Sequence, residues 1–122
     1  MSGAEDEATF RAAVDLFDAG RYLAAHELFE ELWEGTEGTD SDFYKGLIQA
    51  AIALHHFESG NLDGAAKLHA SLRGLLAKYL PRHGDVDLVR FLADFQFAFR
   101  PVSERTSGAR VPLPGDPPRL KR

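Results

Sequence analysis

The 122-residue chain contains no cysteine, which excludes disulfides and thiolate metal ligands and removes any call for an oxidising compartment. Long apolar runs are missing too. The most hydrophobic window, Asp40 to Gly60, is too short and too often broken by polar residues to cross a bilayer, so no membrane partner is expected. Residues 1–7 are acidic, whereas a targeting segment begins basic and then turns apolar, so a cytoplasmic location is expected. No glycine-rich phosphate loop occurs, and no Ser or Thr is placed as a nucleophile, which leaves hydrolysis by water as the one reaction class to consider. Proline is scarce before residue 100, where only Pro81 occurs, and five of the six prolines crowd the end of the chain.

What is present is ordinary for a globular protein: 44% hydrophobic and 27% charged residues, with room for one core. The net charge of −5 is unevenly shared. Residues 1–100 carry nine Lys and Arg against seventeen Asp and Glu, and residues 101–122 carry five against two. An acidic body repels phosphate backbones, so nucleic acid is not expected as a partner.

Helical periodicity dominates. Phe10, Ala13, Val14 and Phe17 recur at i, i+3, i+4 and i+7 and predict a helix over Ala4 to Ala19, with acidic residues in its first turn. Arg21 to Glu34 reads as a second helix with Tyr22, Ala25, Leu28, Phe29, Leu32 and Trp33 on its apolar face. Asp40 to Gly60 reads as a central helix packed on more than one neighbour, with Asp40 or Ser41 as N-cap. Asn61 to Leu80 gives a fourth helix, in which Gly64 and Gly74 suggest close backbone approach, ended by Pro81 and Gly84. Asp85 to Phe99 gives a fifth, so rich in Phe towards its end that something must cover it. The expected architecture is all-α: a single domain over residues 1–100, then an extended Pro-rich basic tail over 101–122. That tail cannot be helix, but Val111, Leu113 and Leu120 among its prolines suggest that it runs across the helices.

An internal repeat fixes how the helices pair. Phe17-x-x-Gly20-x-Tyr22-x-x-Ala25-x-x-Leu28-x-x-x-Leu32 recurs forty residues later as Phe57-x-x-Gly60-x-Leu62-x-x-Ala65-x-x-Leu68-x-x-x-Leu72. Each copy reads as the turn of an antiparallel helical hairpin, with Gly taking the positive φ that closes the first helix. The chain is then two stacked hairpins plus a closing helix. The Gly-x-Tyr/Leu-x-x-Ala core resembles the turn of tetratricopeptide repeats; their period is about 34 residues, so the likeness covers the turn alone.

Four blocks read together carry a wider resemblance: His26-Glu27-x-x-Glu30-Glu31-x-Trp33, Lys45-Gly46-Leu47-Ile48-Gln49-x-Ala51, His55-His56 and Gly60-Asn61-x-x-Gly64-Ala65. They resemble the small bacterial and archaeal family filed as domain of unknown function 309, over roughly residues 10 to 80. Lys45 stands where the family is expected to carry Gln. The resemblance implies a compact all-α fold and brings no reaction.

The candidate polar cluster is His26, Glu30, Trp33, Gln49, His55 and His56. Buried imidazoles need partners, since an unsatisfied polar group costs roughly 1–3 kcal/mol, so the bland reading is a structural hydrogen-bond network that fixes how the hairpins stack. His69 also sits on an inward face. A sharper reading takes His26 and Glu30, which can meet at i and i+4, with His55 or His56 across the helix pair, His56 foremost, as a two-His, one-carboxylate site for Zn²⁺ or Fe²⁺. A third makes Glu30, buried and paired with His26, a general base beneath Trp33 and Tyr22. Two functions follow: a non-enzymatic helical-hairpin module that binds a protein or a copy of itself, or a small metal-dependent or acid–base hydrolase centred on His26 and Glu30.

Overall fold

The computed structural model describes residues 3–105, 111, 113 and 115–121. Its order is α1 (Gly3–Asp18), α2 (Tyr22–Glu34), α3 (Ser41–Glu58), α4 (Leu62–Ala77), β1 (Arg82–His83), β2 (Val86–Asp87) and α5 (Leu88–Ser103). The all-α class holds. α1 packs on α2, α2 on α3 and α3 on α4, and α5 packs on α4. The central helix α3 buries Phe43, Leu47, Ala50, Ala51, Ala53, Leu54 and Phe57, a face broad enough for neighbours on both sides.

The repeat is repeated in the backbone. At the first turn the Gly20 amide donates to the Phe17 carbonyl at 3.0 Å and the Arg21 amide to Leu16 at 2.9 Å; at the second, Gly60 donates to Phe57 at 3.1 Å and Asn61 to His56 at 2.8 Å. Gly20 and Gly60 hold φ of 81° and 83°, a left-handed conformation that a Cβ disfavours. The phenylalanine before each turn then anchors α5: Phe17 meets Phe91 at 5.8 Å between ring centroids, and Phe57 meets Phe99 at 5.1 Å. α5 therefore lies across both turns, which is how one helix closes two hairpins.

The glycines divide. A Cβ on Gly46 would lie 2.6 Å from Leu76 Cδ2, so Gly46 is what lets α4 approach α3. A Cβ on Gly64 would lie 2.6 Å from the Asn61 side chain, which caps α4 by accepting from the Gly64 amide at 3.0 Å. Gly74, expected at a close approach, instead faces open space.

Three boundaries differ from expectation. α4 stops at Ala77, and residues 78–87 form a small hairpin instead of a plain break: Gly84 and Asp85 both hold positive φ, 56° and 61°, and turn β1 antiparallel onto β2. α5 consequently begins after Asp87, which caps it by accepting from the Arg90 amide at 3.1 Å. At its far end α5 continues through Pro101 to Ser103, so residues 101–103 are helix and not tail. Pro101 lacks the amide that would bond Phe97, but it sits on the exposed face while Val102 beside it is fully buried; burying Val102 outweighs one lost hydrogen bond at a helix end.

The described part of the tail returns to the first turn. Leu120 is 1% exposed, and the Leu120 and Lys121 amides donate to the Asp18 carboxylate at 2.7 and 3.0 Å. Arg90 Nη2 donates to the carbonyls of Arg119 and Leu120 at 3.0 and 3.1 Å. Leu113 stays exposed.

Candidate functional site

Of the six cluster residues, the structure pairs His26 with Glu30. One turn of α2 separates them, and Nε2 lies 3.1 Å from Oε2. The side chains are 24% and 43% exposed, so the pair lies at the margin of the core and not within it. Glu30 is thus open to water and not enclosed beneath Trp33 and Tyr22 as the third reading expects. Trp33 is half-buried, and Gln49 Oε1 is buried with no hydrogen-bond partner. The Tyr22 and Phe29 rings belong to the core, as expected, and burial with the nearby charges of Glu58 and Asp18 pushes the Tyr22 hydroxyl up to about 12.

The two adjacent histidines go elsewhere. His56 Nδ1 lies 3.4 Å from Asn61 Nδ2, so Asn61 caps α4 with its oxygen and holds His56 with its nitrogen. His55 is half-buried, its ring centroid 6.2 Å from that of His56. The antiparallel register explains why neither joins His26. Tyr22 shares a cleft with Leu54 and Phe57, which puts His26 opposite residues near 50–53 of α3. His56 is then about one to two helical turns further along, roughly 5–9 Å at 1.5 Å per residue. Among the described residues no group of three or more His, Asp or Glu side chains is spaced to hold a metal ion, so His26, Glu30 and His56 are not brought together as ligands for Zn²⁺ or Fe²⁺.

His69 is the deeply buried imidazole, 6% exposed, stacked on Phe95 at 5.2 Å and beside Phe99 at 5.1 Å, with Nε2 unpartnered. Burial, helped by the Arg73 charge, pushes its pKa down to about 4, so it is neutral at pH 7.

Two features lie outside the expected cluster. One is a cavity of about 320 Å³ between the starts of α1 and α3 and the β-hairpin, where His83 Nε2 meets Asp40 Oδ1 at 2.8 Å. A helix predicted to stop at Pro81 hides His83; the sequence signal is the His83-Gly84-Asp85-Val86 run, whose middle pair is turn chemistry. The other is the outer face of α5, where Val89, Ala93, Phe97 and Pro101, four residues apart, are all exposed, Phe97 by 77%.

The model of the family described as Domain of unknown function (DUF309) matches residues 10–68. Over 53 residues, 43% of this chain, the sequence is 40% identical to an uncharacterized protein of Aquifex aeolicus (strain VF5). The match spans 16% of that relative's length. No solved structure matches. Among the described residues no helix is long and apolar enough to cross a membrane.

Proposed function

We propose that this chain, whose residues 10–68 place it in the DUF309 family, works as a non-enzymatic helical-hairpin module that associates with a second copy of itself through the outer face of α5. The observation that carries the reading is the exposed stripe Val89, Ala93, Phe97, Pro101: a Phe 77% exposed, on a helix whose opposite face is sunk into the core, is apolar surface that none of the described residues covers. Charge selects the occupant. The outer faces of α1 and α2 expose Glu5, Glu7 and Asp15, then Glu27, Glu31 and Glu34, and two such bodies repel. On the outer face of α5 the charges are Arg100 and Glu104, paired with each other at 3.2 Å, so this face is neutral and lets two acidic copies meet.

Sedimentation velocity over a concentration series tests it. The expected result is a dimer that forms with concentration and is lost in Phe97→Glu, whose melting temperature stays unchanged because the side chain is at the surface. A chain monomeric throughout, or a Phe97→Glu variant that associates as strongly, overturns the reading.

A second reading, a small acid–base hydrolase centred on His26 and Glu30, is favoured by their 3.1 Å contact where water reaches both side chains. Hydrolysis of p-nitrophenyl acetate above the buffer rate that His26→Ala removes would support it; equal rates in both proteins would end it.

A further inference from the structure

The cavity beside His83 belongs to neither reading. Its volume, about 320 Å³, lies at the lower end of the range small-molecule sites occupy, about 300–1,000 Å³. Its inner wall is aromatic: the Phe10 ring centroid lies 6.0 Å from that of Phe43 and 6.3 Å from that of Tyr44. Its rim carries carboxylates from three separate elements, Asp6 and Glu7 on α1, Asp40 ahead of α3 and Asp85 in the hairpin turn, with Arg11 the one Lys or Arg among the described lining residues. Burial and the charges of Asp40 and Asp6 together push the Tyr44 hydroxyl above its ordinary pKa, so the field of the rim reaches the wall.

Helix stability does not explain the arrangement. Asp40 occupies the N-cap position of α3, yet its side chain makes no cap hydrogen bond; the carboxylate turns to His83, whose ring is lodged against Phe43 at 4.6 Å and Tyr79 at 4.7 Å. Gly84 completes the wall, since a Cβ there would come within 3.1 Å of Phe43. Places where a residue gives up its expected local role are where functional or strained sites are expected.

We propose that this cavity binds a small extended organic cation, an aliphatic diamine, polyamine or guanidine. Aromatic faces attract organic ammonium and guanidinium groups, and carboxylates at the rim supply the counter-charge. The spacing of the rim selects the shape: no three of these acidic or imidazole groups converge closely enough to hold a metal ion, so a point charge cannot satisfy them together. A chain with a nitrogen at each end, its methylenes lying on the rings, reaches carboxylates on opposite sides.

Isothermal titration calorimetry on the full chain at low salt, with spermidine and agmatine as probes, tests this. The expected result is saturable one-to-one binding, weakened at least tenfold in the double variant Asp6→Asn/Asp85→Asn and not displaced by Mg²⁺ at matched ionic strength. Asn tolerates the left-handed backbone at position 85, so the double variant should fold. No saturable heat, an unchanged affinity in the double variant, or displacement by Mg²⁺ overturns the proposal, the last two because they indicate diffuse attraction to the acidic surface. Should the double variant fail to fold, the ring NMR signals of Tyr44 and His83 in the unaltered chain decide: shifts on adding spermidine support the site, and unmoved signals overturn it.

Discussion

The two hairpin turns share one backbone and finish it differently. Hydrogen bonds and glycine φ angles superpose at an offset of forty residues, yet the second turn completes itself locally and the first does not. At the second, Asn61 caps α4, Gly64 makes room for that cap and His56 steadies it. At the first, Arg21 offers no side-chain cap, and the residue matching Gly64 is Ala24. Its neighbour Asp18 instead grips the returning tail through the Leu120 and Lys121 amides. A repeated motif thus fixes a chain path, while the stability of each copy is supplied by whatever polar group is within reach.

The largest test concerns what the turns share. Phe17 and Phe57 are both almost fully buried and each seats α5, so replacing either by Ala should cost about 3–5 kcal/mol in urea unfolding. A loss below about 1 kcal/mol at one of them would show that α5 rests on the other alone.

The next separates the hairpins at matching core positions. Forty residues before His69 stands Phe29, fully buried; the second hairpin thus carries a neutral imidazole where the first carries a benzene ring. The folded pKa of about 4 lies below the unfolded 6.5, so between those values the unfolded chain binds the proton and the folded chain does not. Stability is therefore full above about pH 6.5 and falls as pH drops towards 4, by up to about 3 kcal/mol. His69→Phe, which makes the second hairpin like the first, should flatten that slope and match or exceed the parent at pH 7, because it removes an unpartnered Nε2. Urea unfolding at a series of pH values from 4 to 8 reads both effects; an unchanged slope in the variant would place the titrating group elsewhere.

Asp18 and Glu58, again matched by the repeat, should differ in a third way. Asp18→Ala removes the acceptor for two tail amides and should cost about 1–3 kcal/mol and open the Leu120 and Lys121 amides to hydrogen exchange. Glu58→Ala, on an exposed side chain, should stay within about 0.5 kcal/mol.

How much of this was legible in the sequence follows from the range of the interactions involved. The five helices and the pairing of hairpins were legible because period and glycine placement are local, and the forty-residue offset survived into hydrogen bonds. The central helix's apolar arc, Phe43, Tyr44, Leu47, Ile48, Ala51, Ile52 and Leu54 by helical period, was legible in part: Phe43, Leu47, Ala51 and Leu54 are buried, while Tyr44, Ile48 and Ile52 are only half-buried. The His26–Glu30 contact was readable as an i, i+4 pair, but that neither His55 nor His56 would join it was not, since helix register is set by packing between elements. His56 went to Asn61, a partner five residues away that only a left-handed glycine brings close. His83 was missed because a two-residue hairpin has no periodicity to read, and Asp40 because capping predicts where it sits but not that its carboxylate would reach forty-three residues ahead. The helical Pro101 was not legible because the local rule against proline takes no account of the burial of Val102 that overrides it.

The smallest expected effect is the most direct test of why the two turns differ. Asn61→Ala removes the cap of α4 and the contact to His56, and should cost about 1 kcal/mol. Giving the first turn the same cap through Arg21→Asn alone should gain less than half of that: a Cβ at position 64 would lie 2.6 Å from the capping side chain, and Ala24 puts a Cβ at the matching place. Adding Ala24→Gly opens the notch. The double variant should then recover the capping hydrogen bond, seen as slowed exchange of the residue 24 amide, while the helix propensity lost at glycine offsets much of the gain. If Arg21→Asn by itself protects that amide as well as the double variant does, steric exclusion by Ala24 is not what separates the turns, and Gly64 would owe its place to something other than the room it leaves for Asn61.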